Sequence, residues 1–137
     1  MEQSIRMLTI LRYALLGSIL LYIAVGETLG RVAAPNMMLF YALTFAAITT
    51  VGAMLVIRRT MVAPAEAALR IRPDDAASTI RWRTGCIVTY AMSEAVALFG
   101  LMLRITGFAL SQVAVFYIAG ILLLLFFSPR PRISEAD

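Results

Sequence analysis

Glu94 is the residue whose type and position most directly suggest chemistry in this chain. It stands in the middle of an apolar segment that runs from Gly85 to Leu103. That segment is long enough to cross a bilayer, since a transmembrane helix needs about 20 apolar residues. A carboxylate at the centre of such a helix is costly, so Glu94 is by default a candidate functional group. Because no arginine is expected within about two helical turns of its depth, the cost of burying a charge favours a carboxyl that binds and releases a proton.

Hydroxyl side chains are predicted at the depth of Glu94 when the apolar segments of the chain are aligned by their midpoints. Tyr90 is four residues before Glu94 and therefore shares its helix face, and Ser93 precedes Glu94 directly. The remaining segments contribute Ser18, Thr49, Thr50 and Tyr117. Such oxygens can hydrogen-bond a protonated carboxyl, and they could also ligate Na⁺, a hard cation that prefers oxygen donors. The predicted site therefore binds a proton or Na⁺.

Three further interpretations concern the acidic residues. Glu94 could instead be a permanently protonated residue that joins two helices through hydrogen bonds. Glu27 lies four residues before Arg31, a spacing that favours a surface ion pair. A pathway that leads outward from Glu94 past Gln112 and Glu27 is the alternative prediction for that region.

The composition is typical of a membrane protein and narrows its chemistry. The chain is 61% hydrophobic and 15% charged, whereas soluble domains carry about 25% charged residues. The sequence has no histidine, which argues against His-ligated haem, His-based metal sites and the usual general base. Cys86 is the only cysteine, so an internal disulfide and a CxxC pair are excluded. We therefore expect no enzyme, no catalytic residue, no metal site and no cofactor, and we expect the lipid bilayer rather than nucleic acid as a partner.

Four apolar segments predict an all-α bundle of four transmembrane helices, a single membrane domain over residues 1–137. The predicted spans are about 7–29, 37–57, 85–103 and 108–127, and the connection between spans two and three is 58–84. Arg58 and Arg59 are predicted to end span two. In the connection, Pro64 favours the start of a short helix, and Asp74 or Asp75 can cap a second helical stretch that continues into span three.

The arginines predict the orientation. Ten of the twelve fall on one side in the four-span arrangement: Arg6, Arg12, Arg58, Arg59, Arg70, Arg72, Arg81, Arg83, Arg130 and Arg132. Arg31 and Arg104 fall on the other side. Because cytoplasmic loops carry an excess of basic residues, both termini and the connection are predicted to be cytoplasmic, in a bacterial-type inner membrane. The connection is expected either to lie on anionic headgroups or to dock a cytoplasmic partner.

Small residues recur every three or four positions on two of the spans. On span three they form the series Cys86, Thr89, Ser93, Ala97 and Gly100, which continues to Arg104, and on span two the series Ala42, Ala46, Thr49 and Ala53. Such faces let helices approach closely, either within one bundle or between protomers. The sequence leaves both arrangements open, but a four-helix unit of this size has little interior, which favours a homo-oligomer.

The segment from Ala91 to Met102 resembles the carboxylate-bearing helix of the c subunits of rotary ATP synthases. In that family a Glu followed by small residues and an aromatic–glycine pair carries a proton or Na⁺, and here Glu94, Phe99 and Gly100 occupy the matching positions. The resemblance implies that Glu94 is a reversible ion site. It covers about twelve residues. The rest of the chain departs from the family, since span two has only Gly52 where the family has a run of glycines, and the polar connection is long.

These observations predict a small ion-binding membrane protein, a proton- or Na⁺-linked transporter or channel with Glu94 as its site. The alternative prediction is a non-transporting scaffold or accessory subunit of a membrane complex, in which the protonated Glu94 is structural.

Overall fold

A computed structural model describes residues 2–31 and 34–129 of the chain, and all regular structure in these ranges is helical. The predicted all-α fold is thus confirmed. The helices are α1 (Glu2–Leu29), α2 (Met37–Ile57), α3 (Ala63–Ile71), α4 (Ala76–Ile105) and α5 (Leu110–Phe126). The predicted C-terminal tail, with Arg130 and Arg132, lies outside the described residues.

Within the described ranges, three helical runs are long and apolar enough to cross a membrane. They are α1, the continuous run Met37–Ile71 and α4. α5 is shorter, with 17 residues, or about 26 Å at 1.5 Å per residue. It falls short of the predicted span 108–127 because the preceding turn extends to Ala109 and because Phe127 already leaves the helical conformation.

α2 ends at Ile57, the predicted bound of span two, but Arg58 and Arg59 do not end the helical backbone. The backbone continues from α2 through a π-helical turn, Arg58–Val62, directly into α3. Pro64 has no N–H group to donate to the carbonyl of Thr60, and the Arg81 guanidinium donates to that carbonyl instead, at 3.1 Å. A charged side chain marks a change of solvent, but it does not interrupt the hydrogen bonds of a helix backbone.

The connection 58–84 is a packed helical hairpin, in which α3 lies against the first turns of α4. Leu69 and Trp82 are buried between the two helices, and the indole N–H of Trp82 donates to Glu66 at 3.3 Å. Asp75 caps α4, as predicted, by accepting from the N–H of Ala77. The neighbouring Ser78 hydroxyl also donates to Asp75 and lowers the pKa of this carboxyl.

α4 is the central helix, since it packs against α1, the α2–α3 run and α5. Its buried face comprises Trp82, Gly85, Cys86, Thr89, Tyr90, Ser93, Val96, Ala97, Gly100, Leu103 and Arg104. The small-residue series predicted on span three is therefore packed within one chain, and Cys86 is buried rather than available to a second copy. On α2, by contrast, Ala42, Thr49 and Ala53 are exposed.

The turn between α4 and α5 forms as predicted at Thr106 and Gly107. Gly107 has a φ of 113°, a conformation that disfavours any residue with a Cβ. The N–H of Phe108 reaches the carbonyl of Leu103 at 3.2 Å, and the N–H of Gly107 reaches that of Arg104 at 3.4 Å. These two bonds form a Schellman motif, which ends α4 and reverses the chain into α5. We refer to this end of the bundle as the turn end, and to the opposite end as the hairpin end.

The close contact between α4 and α5 depends on Gly100. A Cβ at this position would lie 2.8 Å from the Cβ of Phe116, whereas a Cβ at Gly52 on α2 would meet nothing within 4 Å. We expect Gly100→Ala to lower the free energy of unfolding by about 1–3 kcal/mol, because it overpacks the interface. The matched control Gly52→Ala is expected to be neutral or to stabilise by up to about 1 kcal/mol, because alanine favours the helix. Denaturant titration in detergent measures both, and equal midpoints for the two variants would contradict the packing described here.

Candidate ion-binding site

Glu94 meets a tyrosine of another helix. The Tyr22 hydroxyl of α1 donates to the Glu94 carboxylate at 2.5 Å. Glu94 is half-buried, and Ala91 and Leu98, which flank it on the α4 surface, are exposed. It lies about ten residues from Arg104 at one end of the apolar run and from Thr84 at the other, which corresponds to roughly 15 Å in each direction. The carboxyl therefore lies midway along the apolar run of α4, at the edge of the bundle.

The surroundings of Glu94 suit a proton better than a metal cation. Within the described residues, Glu94 forms no salt bridge, and its single hydrogen-bond partner is Tyr22. A hard cation such as Na⁺ or Ca²⁺ requires several oxygen ligands. A carboxyl with one hydroxyl donor needs no such shell to accept and release a proton. No group of three or more His, Cys, Asp or Glu side chains that could hold a metal was found in residues 2–31 and 34–129.

Most of the predicted hydroxyl ligands do not converge on Glu94. Three of them donate to carbonyls of their own helices: Ser18 to Ala14 (3.2 Å), Thr49 to Phe45 (2.9 Å) and Thr50 to Ala46 (2.8 Å). Ser93 does the same with Thr89 at 2.8 Å and lies 3.5 Å from the sulfur of Met54. A short hydroxyl side chain in a helix reaches the carbonyl one turn back, and this local bond satisfies it before a distant carboxyl can.

The two predicted tyrosines lie on either side of Glu94 along the bundle. Tyr90 is fully buried one turn toward the hairpin end. The Tyr117 ring packs on Gly100, and its hydroxyl would lie 3.1 Å from a Cβ at Gly26. Tyr117 is thus displaced toward the turn end rather than level with Glu94. Both hydroxyls are buried and have no hydrogen-bond partner among the described residues. A buried hydroxyl that stays unpaired costs about 1–3 kcal/mol.

Glu27 pairs with Arg104 on α4 rather than with Arg31, the partner predicted from its spacing. The Arg104 Nε donates to Glu27 at 3.0 Å, and the Arg104 Nη1 donates to the carbonyl of Phe108 at 3.2 Å. The side chain fits because Gly30 offers no Cβ, which would lie 2.6 Å from Arg104 Nη1. The spacing of residues within one helix could not reveal an ion-pair partner that lies on another helix.

Gln112, the other residue of the predicted outward pathway, is exposed and has a structural role. Its side-chain oxygen accepts from the backbone N–H of Ala109 at 3.1 Å, which caps the start of α5. The structure therefore does not bring Gln112 to Glu27, whose hydrogen bond goes to Arg104.

Tyr22 is the site residue that sequence reasoning missed. Alignment of segment midpoints placed Ser18 level with Glu94, but α1 begins at Glu2 and is shifted by one turn relative to that alignment. A signal was present, since the first apolar segment has two tyrosines, and Tyr22 is the nearer of them to its midpoint. A tyrosine in that position has an apolar ring and a hydroxyl that needs a partner.

Comparison with known proteins supplies no family for this geometry. The chain matches no protein-family model, no curated protein and no solved structure. The residues of the chain and their arrangement are therefore the observations that bear on its function.

The hydrogen bond between Tyr22 and Glu94 is expected to stabilise the contact between α1 and α4. In a double-mutant cycle with Tyr22→Phe and Glu94→Leu, we expect a coupling of about 0.6–1.7 kcal/mol in the free energy of unfolding, the range of interhelical hydrogen bonds in membrane proteins. Tyr13→Phe is the control, because Tyr13 is exposed on the same helix, and it should show no coupling to Glu94→Leu. Zero coupling for Tyr22 would mean that the bond does not contribute to stability.

Proposed function

We propose that this protein is a multi-pass inner-membrane protein that carries a proton on Glu94, as part of a transporter or channel. The observation that carries the proposal is the position of Glu94: midway along the apolar run of α4, at the edge of the bundle, with the Tyr22 hydroxyl as its hydrogen-bond partner. An ionisable residue within a transmembrane segment is rare and marks ion or proton pathways.

The proposed topology has four spans with both termini in the cytoplasm. α1 runs parallel to α4, since Tyr22 meets Glu94 and Glu27 meets Arg104 in the same order along both helices. The turn at Gly107 makes α5 antiparallel to α4. At the hairpin end, the Arg58 guanidinium lies 4.0 Å from the centroid of the Phe127 ring, an arrangement that suits the membrane interface. With the arginine-rich hairpin in the cytoplasm, the hairpin end is the inner end and the turn end is the outer end.

The resemblance of residues 91–102 to the c subunits of rotary ATP synthases supports a reversible ion site at Glu94. The proton is favoured over Na⁺ because, of the predicted hydroxyl ligands, Ser93, Ser18, Thr49 and Thr50 are satisfied within their own helices. The proposal concerns the chemistry at Glu94 and does not extend to rotation or to ATP.

The second candidate function is a non-transporting scaffold or accessory subunit, in which the Tyr22–Glu94 bond is structural. Two observations favour it. The bond joins α1 to α4, and interhelical hydrogen bonds of this kind hold membrane bundles together. The small residues Ala42, Thr49 and Ala53 are exposed on α2, where a helix of a partner or of a second copy could approach closely.

The two candidates differ in what Glu94→Gln does. Glutamine keeps the size of the side chain and an oxygen that can accept from Tyr22, but it cannot release a proton. For the purified protein in proteoliposomes, we expect proton flux to fall by at least about a hundredfold, the lower range of losses on removing an acid–base group. A carbodiimide, which attacks protonated carboxyls, should label Glu94 in the unmodified protein, and added Na⁺ should not protect it.

The matched control for this experiment is Glu2→Gln, because Glu2 is exposed in the first turn of α1. It should retain both flux and labelling. Unchanged flux in a folded Glu94→Gln protein would rule out the transport proposal and favour the scaffold. Protection of Glu94 by Na⁺ would instead identify Na⁺ as the bound ion.

The proposed orientation is tested by single cysteines in a membrane-impermeant maleimide assay on intact cells. Arg31→Cys and Thr106→Cys should react, because these exposed positions lie at the outer end, whereas Ala67→Cys in the hairpin should react only after permeabilisation. The unmodified protein is the control, since Cys86 is buried. The reverse pattern of labelling would invert the topology.

A further inference from the structure

The polar side chains within the helical bundle concentrate where α1 and α5 meet α4. We call this set the polar seam. From the hairpin end to the turn end it comprises Arg12, Tyr90, Tyr22, Glu94, Tyr117, Arg104 and Glu27. Its Tyr90, Tyr117 and Arg104 side chains are buried. Arg12 belongs to the seam because it lies one turn from buried Leu8 and seven residues before buried Ile19, on the inward face of α1.

Three buried polar atoms of the described chain have no protein hydrogen-bond partner, and all three belong to the polar seam. They are the Nε of Arg12 and the hydroxyls of Tyr90 and Tyr117. Tyr90 is 0% exposed and Tyr117 is 2% exposed. Buried polar groups in proteins bond either to protein or to ordered water. Since protein atoms do not satisfy these three groups, water is the partner that fits their chemistry.

The two tyrosine hydroxyls lie on opposite sides of Glu94 along the bundle. Tyr90 precedes Glu94 by one helical turn and therefore lies on its inner side. Tyr117 lies next to Gly26, one turn beyond Tyr22 on the outer side. The carboxyl is thus flanked on both sides by a hydroxyl that can accept one hydrogen bond while it donates another.

We propose that Tyr90 and Tyr117 are the inner and outer relay residues of a hydrated proton path along the polar seam. The inference rests on the proposed function of Glu94 and assigns the route by which its proton arrives and leaves. At each relay the hydroxyl oxygen accepts the excess proton of a protonated water on one side and gives its own proton to a neutral water on the other. The tyrosine ends unchanged, the first water is left neutral, and the excess proton has moved along the seam. Glu94 takes up the proton as a neutral carboxyl and returns to the carboxylate when the proton leaves.

The packing of the seam selects a proton over a hydrated cation. At Gly26, a Cβ would already lie 3.1 Å from both the Tyr117 hydroxyl and the Cγ of Arg104. Such close contact between the helices disfavours a site for Na⁺ with a full shell of water ligands. Hydrogen-bonded water and hydroxyls need only single-file contact to pass a proton.

The experiment compares four Tyr→Phe variants of the same chain in proteoliposomes that contain a pH-sensitive dye. Tyr90→Phe and Tyr117→Phe remove the relay hydroxyls, whereas Tyr13→Phe and Tyr41→Phe remove hydroxyls from side chains that are 61% and 66% exposed. We expect each relay variant to lower proton flux at least about tenfold, and the two controls to keep it. Carbodiimide labelling of Glu94 should persist in all four, because none of them removes the carboxyl.

A second readout does not depend on transport. Radiolytic hydroxyl-radical labelling modifies buried side chains that contact bound water, and we expect it to modify Tyr90 and Tyr117 in the unmodified protein. Absence of modification at both, or wild-type flux in both relay variants while Glu94→Gln abolishes flux, would overturn the relay and leave the function of Glu94 standing. Wild-type flux in Glu94→Gln would instead refute the proposed function, and the relay with it.

Discussion

The hydrogen bond from Tyr22 to Glu94 is the constraint on which the arrangement of α1 depends. A carboxyl within an apolar helix must find a polar partner, because hydrocarbon offers no water to satisfy it. Once Tyr22 meets Glu94, the axial position of α1 along α4 is set. That register brings Glu27 level with Arg104 and leaves Gly26 beside the Tyr117 hydroxyl. The polar contacts of α1 with α4 therefore follow from a single requirement for hydrogen bonding.

The contact between α4 and α5 depends on close packing rather than on hydrogen bonds between side chains. Hydrophobic force does not drive helices together inside a bilayer, so close van der Waals packing between small residues must do so. A Cβ at Gly120 would lie 3.0 Å from the Cβ of Ala97, and one at Gly100 would lie 2.8 Å from Phe116. These small residues let α5 approach α4 closely. The close approach explains why the small-residue series of span three is buried within one chain. α2 keeps its own small residues exposed.

The sequence predicted the helices well and the contacts between them poorly, and the reason is physical. Hydropathy and flanking charges indicate which segments are apolar helices, and Glu94 lies midway along the apolar run of α4. They do not report which side of a helix faces which neighbour. Thr49 and Thr50 are therefore satisfied on α2, away from the Tyr22–Glu94 pair.

Errors in helix length had a similar origin. The helical backbone continues past Arg58, because backbone hydrogen bonds do not depend on the charge of the side chains. The contacts between α5 and α4 are also offset from the alignment of segment midpoints, because the short turn at Gly107 sets which residues of the two helices meet. Tyr117 consequently lies beside Gly100 and not beside Glu94. The Tyr22–Glu94 contact itself depends on a shift of one turn in α1, which composition does not encode.

The two polar contacts that join α1 to α4 differ in chemistry because they differ in depth. At the turn end, Glu27 is 45% exposed, and water offsets part of the cost of an ionised pair with Arg104. Midway along the apolar run of α4, the contact joins a hydroxyl to a carboxyl, and neither side chain forms a salt bridge among the described residues. An arginine in place of Tyr22 would fix the charge of Glu94 through a buried salt bridge, whereas a tyrosine can donate to the carboxyl in either protonation state. Under the proposed function, a tyrosine rather than an arginine opposite Glu94 is therefore the residue type that would leave its proton exchangeable.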